Sequence, residues 1–236
     1  MPIPPLLAVD CRGGIHAARF SQKNFLEKAE NSQSQIIIIP AGEENKTIDS
    51  VLSIIKTALK NSFSRSCRFI AIGGGVISDM TALASSLFKR GAKLEIVPTT
   101  LLSMADACIG GKTGCDFDNY KNMIGTFYPA SKLHFCPEFI LSLNQTEYLS
   151  GLAEVIKTAM LYSTELFNIL KNEHKKIMAK DKEILFKFLN QAAKLQDENG
   201  YIVDFETTGE FPKFGNDDDR VDLLAKDMTH KFITEL

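Results

Sequence analysis

Three stretches of the 236-residue chain set side by side residue types that could handle an anion or a proton. The first, Arg68-Phe-Ile-Ala-Ile-Gly73-Gly74-Gly75-Val76-Ile-Ser-Asp79, runs an apolar segment into three glycines and then into a helix-forming segment. Such a strand, turn and helix start lets backbone amides and the helix dipole face a pyrophosphate. The spacing is not G-x-G-x-x-G, and a tight left-handed turn would use the same glycines. Asp79, in the first helical turn, suits either compensation of the dipole or a bond to a cofactor hydroxyl. The second stretch, Asp106-Ala-Cys108-Ile-Gly110-Gly111-Lys112-Thr113, places an acid before a lysine across a glycine pair. Amides, a point charge and a hydroxyl are the parts of a phosphate loop; the full Walker pattern is absent, and an ordinary loop has the same composition. In the third, Glu154 and Lys157 stand three apart and share one helix face, as a site pair or as a surface ion pair worth about 0.2–0.5 kcal/mol. His16, His134, His174 and His230 are scattered without an H-x-x-x-H pair, so spacing derives no metal site.

The elements that must hold these groups alternate. A weak strand over 6–10 and a polar helix near 24–31 precede the β-branched run Gln35-Ile-Ile-Ile-Ile-Pro40, which has the character of a buried parallel strand. Residues 47–59 carry apolar residues at helical spacing with Thr47 as N-cap. Strand 69–72, helix 76–88 and strand 93–97 follow, and this alternation predicts a parallel sheet with helices on both faces. From residue 141 the pattern changes. Residues 151–172 and 175–196 are long amphipathic stretches with no strand between them, which predicts an α/β domain over 1–136 and a mostly helical domain over 137–236. Residues 200–204 could form a strand and 222–236 a short helix, on either side of a polar segment that ends in three aspartates, Asp217 to Asp219.

Composition narrows the function. Hydrophobic content of 44% is ample for a buried core, and 27 Lys+Arg against 29 Asp+Glu leave a net charge of -2. No basic excess invites nucleic acid or an acidic membrane surface, so any anion site must be local. Five cysteines form an odd set without a C-x-x-C pair, which fits reduced thiols in a cytoplasmic protein. The N-terminal segment has no basic region and too short an apolar run for a signal peptide, and no segment is long enough to span a bilayer.

The motifs together resemble a family. Pro40-Ala-Gly-Glu43-Glu-Asn-Lys46, Gly73-Gly-Gly-Val-Ile-Ser-Asp79, Arg90-Gly91, Pro98-Thr99-Thr100-Leu-Leu102, Gly110-Gly-Lys-Thr-Gly114, Lys121-Asn122-Met-Ile-Gly125-Thr-Phe-Tyr128 and Ser150-Gly-Leu-Ala-Glu-Val-Ile-Lys157 stand in the order and at the spacing of 3-dehydroquinate synthase, over about residues 36–160. Other sugar-phosphate cyclases share most of these motifs, and glycerol dehydrogenase-like proteins share the fold. The resemblance implies a Rossmann-like NAD-binding domain, a helical metal-binding domain and a homodimer. It also implies a reaction in which 3-deoxy-D-arabino-heptulosonate 7-phosphate loses phosphate and closes into 3-dehydroquinate, with NAD regenerated each turn. The match places Glu43, Lys46, Gly74, Gly75, Val76, Asp79, Thr99, Thr100, Lys121, Phe139 and Ser142 at cofactor positions. It places Asp106, Lys112, Asn122 and Lys157 at substrate positions, Arg90 at an arginine supplied to the substrate phosphate by the neighbouring subunit, and Glu154 at a ligand of zinc or cobalt.

The chain also departs from that family. The segment that carries the family's other two metal ligands, both histidines, has no counterpart here, and Leu236 falls far short of the family's usual length. Cys136 replaces an aspartate, and Thr146 an arginine beside Glu147. Two alternatives therefore stand beside a synthase: another NAD-dependent sugar-phosphate cyclase, and a nucleotide-binding paralogue without turnover. With Glu154 as the one recognisable ligand, the protein should emerge from purification and dialysis with zinc well below one equivalent by metal analysis, and stoichiometric zinc would refute this.

Overall fold

The computed structural model describes residues 5–10, 35–135 and 137–198. The expected helix near 24–31, Cys136 and everything expected beyond 198 lie outside the described residues. Strand β1 (Pro5–Asp10) is followed by β2 (Gln35–Ile39), whose isoleucine run stops at Pro40, a residue with no amide proton for the ladder. Helix α1 (Ile48–Lys60) begins where the Thr47 side chain accepts a hydrogen bond from the Ser50 amide, as its N-cap position predicts. Strand β3 (Arg68–Gly73), helix α2 (Gly75–Leu87) and strand β4 (Lys93–Pro98) form the second unit, within a residue or so of the bounds read from sequence.

The main sheet, completed by the short strand β7 (Lys132–Leu133), has the order β2-β1-β3-β4-β7 and is parallel throughout. Its direction of growth reverses between β1 and β3. In an open α/β sheet that reversal leaves a crevice at the carboxyl ends of the two strands, where ligands bind. Alternation along β3 feeds both faces: Phe69 and Ala71 join α1 and α2 through Val51, Ile54, Met80 and Leu83, while Ile70 and Ile72 pack with Leu101, Met104, Tyr148, Leu152 and Phe188.

Between β4 and β7 lies a hairpin that sequence reading missed, β5 (Cys115–Phe117) with β6 (Tyr120–Ile124). Its two-residue loop, Asp118 and Asn119, has positive φ at both positions (50° and 65°), the backbone a primed hairpin turn requires. Asp-Asn is a permitted pair for that turn and was the available signal.

The two long helices expected after residue 151 are each broken. Helix α3 (Gln145–Tyr162) starts earlier than expected because Asn144 caps it, accepting from the Glu147 amide. Ser163 leaves helical conformation and caps α4 (Thr164–Asn172), accepting from the Leu166 amide. After α5 (His174–Met178), Lys180 turns the chain through a left-handed φ of 55° into α6 (Lys182–Glu198). Two bonds fix these turns: the Tyr148 hydroxyl donates to the Ile177 carbonyl at 2.6 Å, and the Lys180 ammonium, 5.1 Å from the Tyr148 ring centre, donates to the Leu143 carbonyl. None of the described helices is long and apolar enough to cross a membrane.

Gly151 lets α3 lie directly on the segment after β4, because a Cβ there would stand 2.5 Å from the Leu102 nitrogen. Gly151→Ala should therefore lower the thermal midpoint although alanine is the better helix former. Phe188→Ala, which empties a fully buried site, should cost about 3–5 kcal/mol in urea unfolding.

Candidate nucleotide and phosphate site

The loop after β2 turns through Gly42, at φ 113°, into a short 3-10 turn, Glu43–Asn45, and delivers Lys46 inward. Lys46 is only 4% exposed, yet its ammonium is well satisfied: it donates to Asp79 Oδ2 and to Asn122 Oδ1, both at 2.6 Å. Asp79 stands in the first turn of α2. Burial pushes its carboxyl up to about 6, the Lys46 charge pulls the other way, and the neighbouring Asp106 and Glu43 add to the rise.

Around this pair the elements converge at the carboxyl edge of the sheet. Gly74 is the N-cap of α2 and offers no side-chain cap, and a Cβ on Gly75 would meet only the Ala107 methyl, at 3.5 Å. The first amides of α2 are thus left for a partner that is not a side chain of the cap. The Thr99 amide donates to the Gly73 carbonyl, and Thr100 Oγ1 accepts from the Ser103 amide, opening a π-helical turn, Ser103–Ala107, that carries Asp106. Single π turns of this kind recur at functional sites. The hairpin closes the other side, the Gly114 amide donating to the Asp79 carbonyl and the Asp116 amide to the Lys46 carbonyl.

Two cavities adjoin here. One, of about 430 Å³, is lined by Glu43, Lys46, Gly75, Val76, Asp79 and Thr100, with Thr146, Glu147 and Ser150 of α3 opposite. The other, of about 560 Å³, is lined by Asp79, Asp106, Lys112 and Asn122 with Phe127 at its side. Both fall in the size range of small-molecule sites. Asp79 and Ala107 line both, so the cavities are neighbours across a wall that these two residues share.

The structure thus gathers Glu43, Lys46, Gly75, Val76, Asp79, Thr100, Asp106, Lys112 and Asn122, with Gly74 and Thr99 in the backbone turns beneath them. Lys121 reaches the rim, its ammonium 3.3 Å from Glu43 Oε1 and largely exposed. Glu154 and Lys157 form an ion pair at 2.8 Å on the α3 stripe that also carries Glu147 and Ser150. Phe139 is instead buried in the core with Ile70 and Ile72, and the Ser142 hydroxyl donates to the Phe139 carbonyl; neither is among the residues lining the two cavities.

Arg90 is placed elsewhere. It lies in the Phe88–Arg90 turn before the amino end of β4, with Lys89, Arg90 and Gly91 all at positive φ, while Thr99 and Thr100 follow the carboxyl end. A strand rises roughly 3.3 Å per residue, so β4 alone holds Arg90 on the order of 20 Å from the Thr99 turn. The Arg65 guanidinium fixes that turn by donating to the Arg90 and Gly91 carbonyls. A third cavity, about 620 Å³, opens at this end, lined by Arg65, Gly91, Lys93 and Tyr128, away from the groups gathered above.

Sequence reading also passed over Thr146, Glu147 and Ser150 as cavity residues. The i, i+3, i+7, i+10 spacing of Glu147, Ser150, Glu154 and Lys157 was the signal for a single polar stripe. A divalent metal fits poorly: among the described residues no group of three or more His, Cys, Asp and Glu side chains could hold one. The carboxylate of Glu154 is taken up by Lys157, and the His134 ring bonds to Glu95 at 2.9 Å.

Residues 36–150 match the family model described as 3-dehydroquinate synthase N-terminal. The 3-dehydroquinate synthase of Ruthia magnifica subsp. Calyptogena magnifica is 37% identical over 174 residues, 72% of this chain and 48% of its own; that of Sulfurisphaera tokodaii is 39% identical over 168 residues, 70% and 48%. Residues 36–150 are thus similar to the amino-terminal part of 3-dehydroquinate synthases. The chain spans about half the length of these curated relatives. The 2-epi-5-epi-valiolone synthase of Streptomyces hygroscopicus subsp. jinggangensis, a structure with NAD+ and Zn2+ bound, superposes with a TM-score of 0.71 at 26% identity over 83% of this chain and 55% of its own. A 2-deoxy-scyllo-inosose synthase complexed with carbaglucose-6-phosphate, NAD+ and Co2+ has a TM-score of 0.73 at 18% identity, over 86% and 56%, and supports the fold alone. Residues 182–236 match a different model, described as pyruvate formate lyase-like. That match takes in the three-aspartate run, which had no assigned architecture.

The carboxylate of Asp79 gives a direct test. Because the folded chain holds its proton more tightly than the unfolded one, this group's contribution to stability falls as pH rises from 3.8 to about 6 and is flat above. The Asp79 carboxyl carbon should titrate near pH 6 by NMR, and Lys46→Met should move the midpoint higher, since the opposing charge is gone. A midpoint near 4 would contradict the buried placement.

Proposed function

We propose that residues 36–160 form the nucleotide- and phosphate-binding part of a 3-dehydroquinate synthase-like sugar-phosphate cyclase, with NAD in the 430 Å³ cavity and the phosphosugar in its neighbour. The observation that carries this is the shared wall: one residue, Asp79, lines a cavity at an uncapped helix start and a second cavity holding Lys112 and Asn122. NAD is the group that takes up and returns the hydride of a substrate hydroxyl. The chain's own residues bind and orient. The amides at the start of α2 and the missing side chains of Gly74 and Gly75 receive a pyrophosphate, and Asp79 offers a carboxylate to ribose hydroxyls. Lys112 supplies a point charge to the sugar phosphate, Asn122 a carboxamide, and Asp106 a carboxylate to hydroxyls.

The named substrate of the proposal is 3-deoxy-D-arabino-heptulosonate 7-phosphate, with phosphate elimination and ring closure to 3-dehydroquinate, in the shikimate route to aromatic amino acids and in the cytoplasm. A homodimer belongs to the same proposal, supported by Arg90: at the far end of β4 it can serve a phosphate only in another subunit. Since the described residues do not assemble a site for zinc or cobalt, they lend themselves to binding better than to turnover.

NAD should bind the full chain in calorimetry, and Gly75→Val should abolish binding by pushing a branched side chain into the space beside Ala107. No heat of binding at millimolar NAD would end the proposal. Supplied with NAD, a divalent metal and the heptulosonate phosphate, the chain should release phosphate far more slowly than a full-length synthase assayed beside it. Equal rates would show that residues outside those described complete the metal site.

A further inference from the structure

Lys46 lines the first cavity and not the second, Asn122 lines the second and not the first, and Asp79 lines both. One buried ammonium bonds to the last two at once, each at 2.6 Å. We infer that Lys46 is a positioning residue that couples the two cavities, so that NAD in one raises the affinity of the other for a phosphate-bearing ligand. The inference rests on the reading of the two cavities given above, and adds the energetic link between them.

Three features support a link rather than two adjacent sites. Asn122 has few ways to move independently, since its backbone is left-handed at φ 55° and its amide donates to Asp116 Oδ1 at 2.8 Å. The hairpin that carries it hangs from the two residues of the ion pair: the Asp116 amide donates to the Lys46 carbonyl at 2.8 Å and the Gly114 amide to the Asp79 carbonyl at 3.3 Å. Finally, the carboxylates of Glu43, Asp79 and Asp106 all face this region, and Lys46 is the buried cation set among them. A ligand whose hydroxyls draw on the Asp79 carboxylate loosens its hold on the ammonium. More of that positive charge is then left to act through Asn122 on the second cavity, where an anion sits. The effect is reciprocal by linkage, so an anion in the second cavity must tighten NAD by the same factor.

The test is calorimetry on the full chain with inorganic phosphate as the probe, at constant ionic strength, with and without saturating NAD. Saturating NAD should tighten phosphate binding by about fivefold or more, the lower end of ordinary coupling between sites, and phosphate should tighten NAD equally. Asn122→Gly, which suits the left-handed backbone, should still bind NAD but bring the factor below about two. Lys112→Gln should weaken phosphate in both conditions and leave the factor standing, which a merely structural role for the hairpin would not produce. If NAD binds but phosphate affinity does not respond, or if the response persists in Asn122→Gly, the coupling is overturned and the nucleotide cavity stands. If NAD itself does not bind, both fall together.

Discussion

The geometry of this chain turns on a buried ion pair. Burying Asp79 and Lys46 strips both of water, a cost of several kcal/mol per ion unless each finds a partner of good geometry. The two meet at 2.6 Å, Lys46 also has Asn122, and even so burial pushes the Asp79 carboxyl up to about 6. The pair sits where four separate pieces of chain meet: the loop after β2, the start of α2, the π turn after β4 and the hairpin. Replacing it with apolar residues could be as stable, since buried ion pairs rarely win on stability alone. What it supplies is a fixed arrangement of polar groups on either side of one wall.

The rest of the fold keeps that meeting point in place. A parallel sheet must be covered on both faces, and here α1 and α2 cover one while α3, α4 and α6 cover the other. Gly151 brings α3 so close to the segment after β4 that Thr146, Glu147 and Ser150 become the far wall of the first cavity. The same helix carries Glu154 and Lys157 one and two turns farther on, where they neutralise each other. At the opposite end of the sheet, Arg65 holds the left-handed turn that displays Arg90, separating that arginine from the site on its own chain.

Helix α6 lies within the residues that match the pyruvate formate lyase-like model, beyond those that match the synthase model. Its residues Leu185, Phe188 and Leu189 nonetheless pack into the same core as Ile70, Val97 and Tyr148. Hydrophobic burial is non-directional, so a helix with an apolar stripe of the right width can cover an open sheet face whatever family its sequence resembles. A metal site has no such tolerance. It needs several named ligands at fixed distances, and among the described residues no group of three or more His, Cys, Asp and Glu side chains provides them.

By itself the sequence determined the alternation of strands and helices, because the isoleucine run of β2, the apolar run of β3 and the Thr47 cap are local signals read from neighbours in the chain. It also marked Gly73 to Gly75 and Lys112 as candidates for phosphate by residue type and order, while leaving a tight turn and an ordinary loop open at those positions. The breaks in the long helices at Ser163 and Lys180 were not legible, because a capping serine and a left-handed lysine are chosen by what the following helix packs against. Nor was the hairpin, whose Asp-Asn turn lacks the glycine that usually marks one. Only the tertiary structure could decide that Lys46 donates to Asn122, 76 residues away, that Phe139 belongs to the core, and that Arg90 lies at the far end of β4 from the site. Those outcomes depend on the direction in which β4 runs and on how closely α3 and the hairpin approach the sheet, distances that no local pattern encodes.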